Sequence, residues 1–242
     1  MTSKMDLVAL QLKTSTSFEK NIQKLEKAIK KTSKGAIILA PELYLTGYSY
    51  NRLNEAVTIT KQSTKKLLSL SKNKTIILTM TTQKENNYYN TLFIFHKGKI
   101  IHQQSKNKLF VLNDERKYFT EGNIDDIKIV NINGIKIAAL ICFELRYIEL
   151  WKKIQGADII LVPAMWGKLR KENFKTLTRA LAVANQCFVV ASDSSNINMA
   201  KSSSIISPFG NVTLNDKKKI ITQKLDIKEI KKMRRYLNVG IN

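Results

Sequence analysis

Short apolar runs alternate along this chain with stretches in which apolar residues recur at helical spacing. The runs predict strands that are buried on both faces, and the helical spacing predicts amphipathic helices beside them. The predicted strands cover residues 5–11, 36–40, 75–80, 135–141, 159–162 and 188–191. The first predicted helix begins after a cap at Ser15 or Ser17. Further helices are predicted over residues 54–70, 147–155, 174–185 and 227–236. This alternation predicts an α/β protein with a mixed sheet.

Two turn signals add antiparallel pairs to this pattern. The tetrapeptide His-Lys-Gly-Lys at 96–99 separates two apolar segments, and Asn133-Gly134 separates two more. Turns that contain such a glycine favour β-hairpins. Segments 204–206, 212–214 and 220–225 are predicted to form a terminal antiparallel portion. Because no repeat or linker composition interrupts the chain, the sequence predicts a single domain over residues 1–242.

The charge balance is strongly basic, with 41 Lys and Arg residues against 19 Asp and Glu residues and a net charge of +22. Such a surface can bind nucleic acid or an anionic membrane. The lysines, however, are scattered from end to end, and their tightest clusters, 217–219 and 231–235, contain no aromatic residue. Nucleic-acid-binding proteins usually concentrate basic residues on one face, so we favour a solvated lysine-rich surface without a specific nucleic-acid partner.

Cysteine content and hydropathy point to a reduced, soluble environment. The two cysteines, Cys142 and Cys187, are too few for a disulfide framework, and both lie in apolar runs. We expect no signal peptide at the N-terminus, and no apolar stretch reaches the roughly 20 residues of a membrane span. Metal-ligand spacings and glycine-rich nucleotide motifs are also absent from the sequence. The prediction is a cytoplasmic protein with no membrane partner, metal or cofactor.

The segment IAALICFELR, residues 137–146, ends an apolar run with a thiol. The charged residues Glu144 and Arg146 follow within four residues of Cys142, so the cysteine is predicted at the mouth of a buried strand. That position suits a nucleophile, although a lone buried cysteine is more often a packing residue. We expect Arg146 to form an ion pair with Glu144 or another carboxylate rather than to bind substrate.

Two other residues could act together with this thiol. Glu42 also follows an apolar strand, and groups at the carboxyl ends of strands tend to converge in one crevice. A carboxylate there could take the thiol proton as a general base. Lys106 begins the irregular segment 106–122, and an ammonium near a thiol lowers the thiol pKa and can stabilise an oxyanion. Either residue alone could equally be a solvated side chain.

The segments PELYLTGY at 41–48, KNKLF at 106–110 and ICFELRYIEL at 141–150 resemble the three signature segments of the nitrilase superfamily of carbon–nitrogen hydrolases. Further segments resemble the same family in the right order, at 115–122, 156–166, 178–192 and 202–212. The resemblance covers nearly the whole chain. It implies a four-layer α-β-β-α sandwich of two mixed sheets, and a homodimer or higher homo-oligomer formed through helices near the cysteine.

The resemblance also implies roles for individual residues. Cys142 matches the nucleophile, Glu42 the general base, and Lys106 the residue that stabilises the tetrahedral intermediate together with the backbone N–H of Phe143. Glu115 matches a second glutamate that positions substrate in amidase members. The implied reaction needs no cofactor: the thiolate attacks an amide carbon, ammonia or an amine leaves, and water hydrolyses the thioester.

The residue after the cysteine favours amides over nitriles. Family nitrilases usually have tryptophan there, whereas this chain has Phe143. The segments PAMW and TRALAVANQ resemble omega-amidase-like branches, which deamidate short dicarboxylic acid monoamides. Phe143, Trp166 and Tyr48 are then candidates for binding a small-molecule amide, with ordinary packing as the alternative for Trp166 and Tyr48.

Departures from the family pattern leave the substrate open. Lys108 stands where histidine is frequent, Glu144 where aspartate is common, and Val183-Ala184 replaces a pair that ends in glutamate. Two alternatives to an omega-amidase-like enzyme therefore remain at this point. One is an N-carbamoyl amidohydrolase with the same Glu-Lys-Cys triad, and the other is a catalytically inactive basic scaffold that binds nucleic acid.

Overall fold

Two six-stranded sheets lie at the centre of the protein in the computed structural model, which describes residues 5–241. The strands are β1 (Asp6–Leu10), β2 (Ile37–Leu39), β3 (Thr75–Lys84), β4 (Asn87–His96), β5 (Lys99–Ser105), β6 (Val130–Ile132), β7 (Ile135–Ala139), β8 (Ile159–Ala164), β9 (Phe188–Asp193), β10 (Ser204–Ile206), β11 (Val212–Leu214) and β12 (Ile220–Lys224). The helices are α1 (Phe18–Lys30), α2 (Leu53–Leu70), α3 (Ile148–Lys153), α4 (Lys171–Ala184) and α5 (Ile227–Tyr236). Residues 1–4 and 242 of the predicted domain lie outside the described residues. The start of the N-terminal segment, where we expect no signal peptide, therefore also lies outside them.

Both sheets are mixed and follow the same plan. The first has the order β12-β1-β2-β3-β4-β5, and the second has the order β11-β10-β9-β8-β7-β6. In each sheet three parallel strands stand together, β1 to β3 in the first and β7 to β9 in the second. Antiparallel strands extend each group on both sides. The prediction of an α/β protein with two mixed sheets is confirmed.

Alternation of side chains along β1 explains the layers. Leu7 and Ala9 belong to the core between the two sheets, whereas Val8 and Leu10 pack in a second core with α1 and α2. Successive strand residues point to opposite faces, so one strand can supply both cores. On the far side, α4 covers the second sheet through buried side chains that include Phe174. The order of layers is therefore helix, sheet, sheet, helix.

Local sequence signals account for the element boundaries. Ser17 caps α1 by accepting a hydrogen bond from the Lys20 N–H at 3.3 Å. The alternative cap, Ser15, instead donates its hydroxyl to the Asn21 side chain. The Asn133-Gly134 pair forms the predicted tight turn, with φ of 52° and 85°. Both residues adopt the left-handed backbone that this kind of hairpin turn requires.

Three strand features differ most from the sequence prediction. Strand β3 continues to Lys84 and pairs along its length with β4, whose polar start at Asn87 carries no apolar run. Strand β8 continues through Pro163, because its pairing with β7 ends at Leu161 and no ladder bond to β7 is required beyond it. The predicted terminal portion is antiparallel, but it is divided between the sheets: β10 and β11 extend the second sheet, while β12 pairs with β1 in the first.

Candidate active site

The carboxyl ends of parallel strands from both sheets meet at one place. Glu42 follows β2 after Ala40 and Pro41, and its backbone N–H donates to the carbonyl of Ala164, the last residue of β8, at 3.2 Å. Cys142 follows β7 in the same sheet as β8. This meeting of strand ends brings residues from distant parts of the sequence into one buried crevice.

Lys106 occupies the centre of this crevice and is fully buried. Its Nζ atom lies 2.8 Å from Glu42 Oε1 and 2.9 Å from Glu115 Oε2. It also donates to the Tyr48 hydroxyl at 3.1 Å. Burial on its own lowers the pKa of Lys106, but the negative charges of Glu42 and Glu115 oppose this effect, and the pKa is held above its usual range. Lys106 is therefore a buried ammonium with a complete set of acceptors.

The Glu42 carboxylate is fixed from several directions. Besides Lys106, its Oε1 atom accepts a hydrogen bond from Asn90 Nδ2 at 2.9 Å. Its Oε2 atom accepts from the Met165 backbone N–H at 3.2 Å. Asn90 lies on β4 and is fully buried, and its carbonyl accepts the Lys106 backbone N–H at 2.8 Å. Asn90 was not among the residues predicted from the sequence, although it contacts both members of the ion pair.

Cys142 begins a short 3₁₀ turn, Cys142–Arg146, with a left-handed backbone at φ of 48°. A non-glycine residue held in this region stores about 1–3 kcal/mol of strain, and such residues cluster at functional sites. Burial and the Glu42 carboxylate raise the pKa of the thiol well above its usual range, while the Lys106 ammonium and the Met165 N–H oppose this. The resting sulfur is therefore a neutral thiol next to a carboxylate.

Glu115 is the second carboxylate that contacts the Lys106 ammonium. It is buried, and it accepts a hydrogen bond from the Phe110 backbone N–H at 2.7 Å in addition to the Lys106 bonds. Burial raises the pKa of Glu115, the Lys106 charge lowers it, and the Glu42 charge raises it again. The Tyr48 hydroxyl also donates to Glu115 Oε1, at 3.4 Å. The segment after Lys106 thus folds back to enclose its ammonium.

Glu144 connects the cysteine turn to the lysine segment. Its Oε2 atom accepts the Ile141 N–H and its Oε1 atom accepts the Asn107 N–H, both at 2.7 Å. The side chain is fully buried, and burial raises its pKa to about 7 against the opposing effect of these two N–H groups. One carboxylate therefore holds the residues that flank Cys142 and Lys106, a contact that sequence spacing did not reveal.

The prediction that Arg146 forms an ion pair with Glu144 or another carboxylate is wrong. Both oxygens of Glu144 face backbone N–H groups, and no carboxylate of residues 5–241 lies within 4.0 Å of the Arg146 guanidinium. Arg146 instead stacks over the Trp166 ring, 5.1 Å from its centroid, and donates to Asn173 Oδ1 at 3.1 Å. Burial of Glu144 behind the turn, with Arg146 on the exposed side, separates the two charges.

A pocket of about 350 Å³, including its open mouth, gives access to the thiol. Its lining residues are Tyr48, Phe110, Cys142, Phe143, Arg146, Met165, Trp166, Gly167 and Arg170. The structure therefore brings all three predicted pocket-wall residues to the cysteine. Phe143 packs edge-to-face with Phe110, and Trp166 donates its ring N–H to the Arg170 carbonyl at 2.8 Å. Arg170 was not predicted from the sequence, because it lies outside the segments that resemble the family.

Three further features of the described residues bear on function: the second cysteine, the possibility of a metal cluster, and the helices. Cys187 is completely buried among apolar side chains of the second sheet. Within residues 5–241, no group of three or more His, Cys, Asp or Glu side chains is arranged to hold a metal ion. Among the described helices, none combines the length and apolar character needed to cross a membrane.

The four-layer fold, with a carboxylate, an ammonium and a thiol converging at its strand ends, is the architecture of a hydrolytic enzyme. The family model for carbon–nitrogen hydrolases matches residues 7–235, and the chain belongs to this family. The resemblance to the nitrilase superfamily is thereby confirmed.

Several curated relatives carry amidase names. The 2-oxoglutaramate amidase of Bacillus subtilis (strain 168) is 32% identical over 233 residues, which covers 90% of this chain and 89% of the relative. The omega-amidase YafV of Escherichia coli (strain K12) is 24% identical over 200 residues, covering 79% of this chain and 77% of the relative. The chain is thus similar over most of its length to enzymes that act on amides.

Solved structures confirm the architecture. XC1258 from Xanthomonas campestris, a CN-hydrolase superfamily protein, superposes with a TM-score of 0.85 at 18% identity, covering 97% of this chain and 95% of that chain. Nit3 of Saccharomyces cerevisiae, a member of branch 10 of the nitrilase superfamily, superposes with a TM-score of 0.82 at 22% identity, covering 98% and 95%. At these identities the likeness establishes the fold.

Proposed function

We propose that the protein is an amidase that hydrolyses the terminal amide of a short monoamide and releases ammonia through a thioester on Cys142. The observation that carries the proposal is the Glu42 carboxylate, which is bonded to the Lys106 ammonium and lies beside the Cys142 thiol. The names of the relatives, 2-oxoglutaramate amidase and omega-amidase, favour a terminal amide over a ureido group.

In the first half of the reaction, Glu42 takes the proton of the Cys142 thiol as the sulfur attacks the amide carbon. Negative charge then develops on the amide oxygen, where the Phe143 N–H can donate a hydrogen bond and the Lys106 ammonium can supply its positive charge. Phe143 is the second residue of its turn, and the first N–H groups of a helix have no partner within it. Protonated Glu42 returns its proton to the nitrogen as the C–N bond breaks, and ammonia leaves a thioester.

In the second half, water replaces ammonia. Glu42 takes a proton from the water as the water oxygen attacks the thioester carbon, and the Phe143 N–H and the Lys106 charge stabilise the new oxyanion. The C–S bond breaks, the sulfur recovers its proton from Glu42, and a carboxylic acid leaves. Glu115 holds Lys106 in place through both halves by its two contacts with Nζ.

Ammonia release from a panel of monoamides, nitriles and ureido acids tests this proposal. We expect release from a short dicarboxylic monoamide by the wild type, no release by Cys142→Ala, and wild-type release by Cys187→Ala. Cys187 is the matched control because it is equally buried and lies outside the crevice. Circular dichroism establishes that each variant is folded. Full activity in folded Cys142→Ala would contradict the mechanism, and preferential cleavage of ureido acids would support the carbamoyl alternative instead.

The inactive basic scaffold has less support. Its distinguishing feature would be an incomplete set of catalytic side chains, whereas Glu42, Lys106 and Cys142 lie together in one crevice. Homo-oligomeric assembly and a cytoplasmic location stay predictions of the sequence.

A further inference from the structure

Two arginines, Arg146 and Arg170, line the pocket that leads to Cys142. We propose that Arg170, assisted by Arg146, binds a carboxylate of the substrate and so selects amides that carry a negative charge away from the bond that is cleaved. This inference rests on the proposed amidase function and assigns the recognition of the substrate's distal end to named residues.

The first argument is the charge of the pocket. No acidic side chain belongs to its lining, and no carboxylate of residues 5–241 lies within 4.0 Å of either guanidinium. The remaining walls are mainly aromatic. Low-polarity walls strengthen the attraction between the half-buried Arg170 guanidinium and an anion, because water screens the charges less. An anionic substrate group would therefore supply the missing counter-charge.

The second argument is that both guanidiniums are held in place by contacts other than ion pairs. Arg170 ends the short turn before α4 and stacks over the Phe110 ring, 5.2 Å from its centroid. Arg146 stacks over Trp166 and is held by Asn173. The Arg170 side chain donates no hydrogen bond to the described residues, so its donors remain for a ligand.

The third argument is the space provided by Gly167. A Cβ atom at this position would stand 2.8 Å from an Nη atom of Arg170, so a side chain there would displace the guanidinium. The absence of a side chain thus permits the observed position of Arg170 against the pocket. Gly167 itself belongs to the pocket lining, between the thiol and Arg170 along the chain.

The fourth argument is the choice of basic residue. The chain has seven arginines among its 41 basic residues, so lysine is its usual cation. Both cations at this pocket are nevertheless arginines. The planar guanidinium matches both oxygens of a carboxylate and stacks on aromatic rings, which an ammonium does less well. A pocket with this pair at its wall suits a short dicarboxylic monoamide.

Steady-state kinetics with two substrates of similar length test the inference. The substrates are succinamate, which carries a carboxylate, and butyramide, which is neutral. We expect the wild type to prefer succinamate, and we expect Arg170→Gln to lower the ratio of the two kcat/KM values by about 30-fold, the effect of removing one strong charged hydrogen bond. Lys168→Gln, the matched control, removes an exposed charge from the same turn and should preserve the ratio.

A binding measurement separates this inference from the proposed function. Succinate should protect the Cys142 thiol from alkylation by iodoacetamide, as followed by mass spectrometry of the Cys142 peptide. We expect the half-protecting concentration to rise about 10-fold or more in Arg170→Gln, for the same loss of a charged hydrogen bond. If no amide is hydrolysed but this protection is observed, the amidase proposal fails and the carboxylate subsite stands. If Arg170→Gln changes neither the substrate ratio nor the protection, the subsite is overturned while amide hydrolysis is unaffected.

Discussion

The Nζ atom of Lys106 lies 2.8 Å from Oε1 of Glu42, and neither side chain is exposed to solvent. A buried ion pair contributes little net stability when it is complete, but the loss of one partner leaves an uncompensated charge in a medium of low polarity. Here the lysine faces a second carboxylate, Glu115, at 2.9 Å. The lysine is therefore needed for the fold as well as for the proposed chemistry.

Among the described residues, Lys106 is the only cation that forms an ion pair with Glu42 or Glu115. Replacing Lys106 by methionine removes this positive charge. We expect the free energy of unfolding to fall by about 3–5 kcal/mol, because Glu42 and Glu115 are left buried without a counter-charge. Urea unfolding followed by circular dichroism measures the change. Lys84→Met is the control, since Lys84 is exposed at the end of β3. Equal midpoints for the two variants would contradict this account of the buried pair.

Replacing Glu42 by glutamine separates catalysis from thiol reactivity. As a lost general base, it should lower kcat by about 10²–10⁴-fold. The Glu42 carboxylate raises the pKa of Cys142, so its removal should lower that pKa. Alkylation of Cys142 by iodoacetamide should then begin at a lower pH than in the wild type, although turnover is lost. A pH profile of alkylation that does not move, or moves upward, would show that Glu42 does not act on the thiol in this way.

Glu144 should make stability fall as the pH rises. Its pKa is raised from 4.5 to about 7 by burial, so between these values the unfolded state has lost the proton while the folded state retains it. The contribution is fully present below pH 4.5 and is lost as the pH passes 7. The shift corresponds to about 3 kcal/mol. The difference in unfolding free energy between wild type and Glu144→Gln should change by this order between pH 5 and pH 8; a difference independent of pH would contradict it.

Asn90 should matter for rate more than for stability. Truncation to alanine removes the hydrogen bond from Nδ2 to Glu42 Oε1 and leaves the backbone bond to Lys106 intact. A misplaced base lowers kcat, and we expect a loss of about 10- to 100-fold from the weakened orientation of one charged group. Asn87→Ala is the control on the same strand, where Asn87 is exposed. Equal kcat values in the two variants would show that Asn90 does not orient Glu42 for catalysis.

The sequence predicts the principal strands and helices, because apolar periodicity is a local property. The ranges for α2 and α5 agree closely with the observed helices. The sequence also predicts Glu42, Lys106 and Cys142 as candidate catalytic residues, because each lies at the end of a predicted strand or in a signature segment.

The contacts that support these residues could not be predicted, because they depend on pairing between distant segments. Asn90 meets Glu42 only through the register of the long β3–β4 hairpin, whose polar half resembles a loop in sequence. The ion pair expected for Arg146 failed for a related reason. Sequence proximity to Glu144 does not reveal that the turn buries one side chain and exposes the other.

The division of the terminal strands between the two sheets has a consequence for synthesis. Strand β1, at Asp6–Leu10, pairs on its outer side with β12, at Ile220–Lys224. A nascent chain therefore presents an unpaired backbone edge on β1 until residues 220–224 have left the ribosome. Open edges of this kind invite association with other chains, and pairing over such a sequence distance is slow. Completion of the first sheet thus waits for β12, long after β1 has been synthesised.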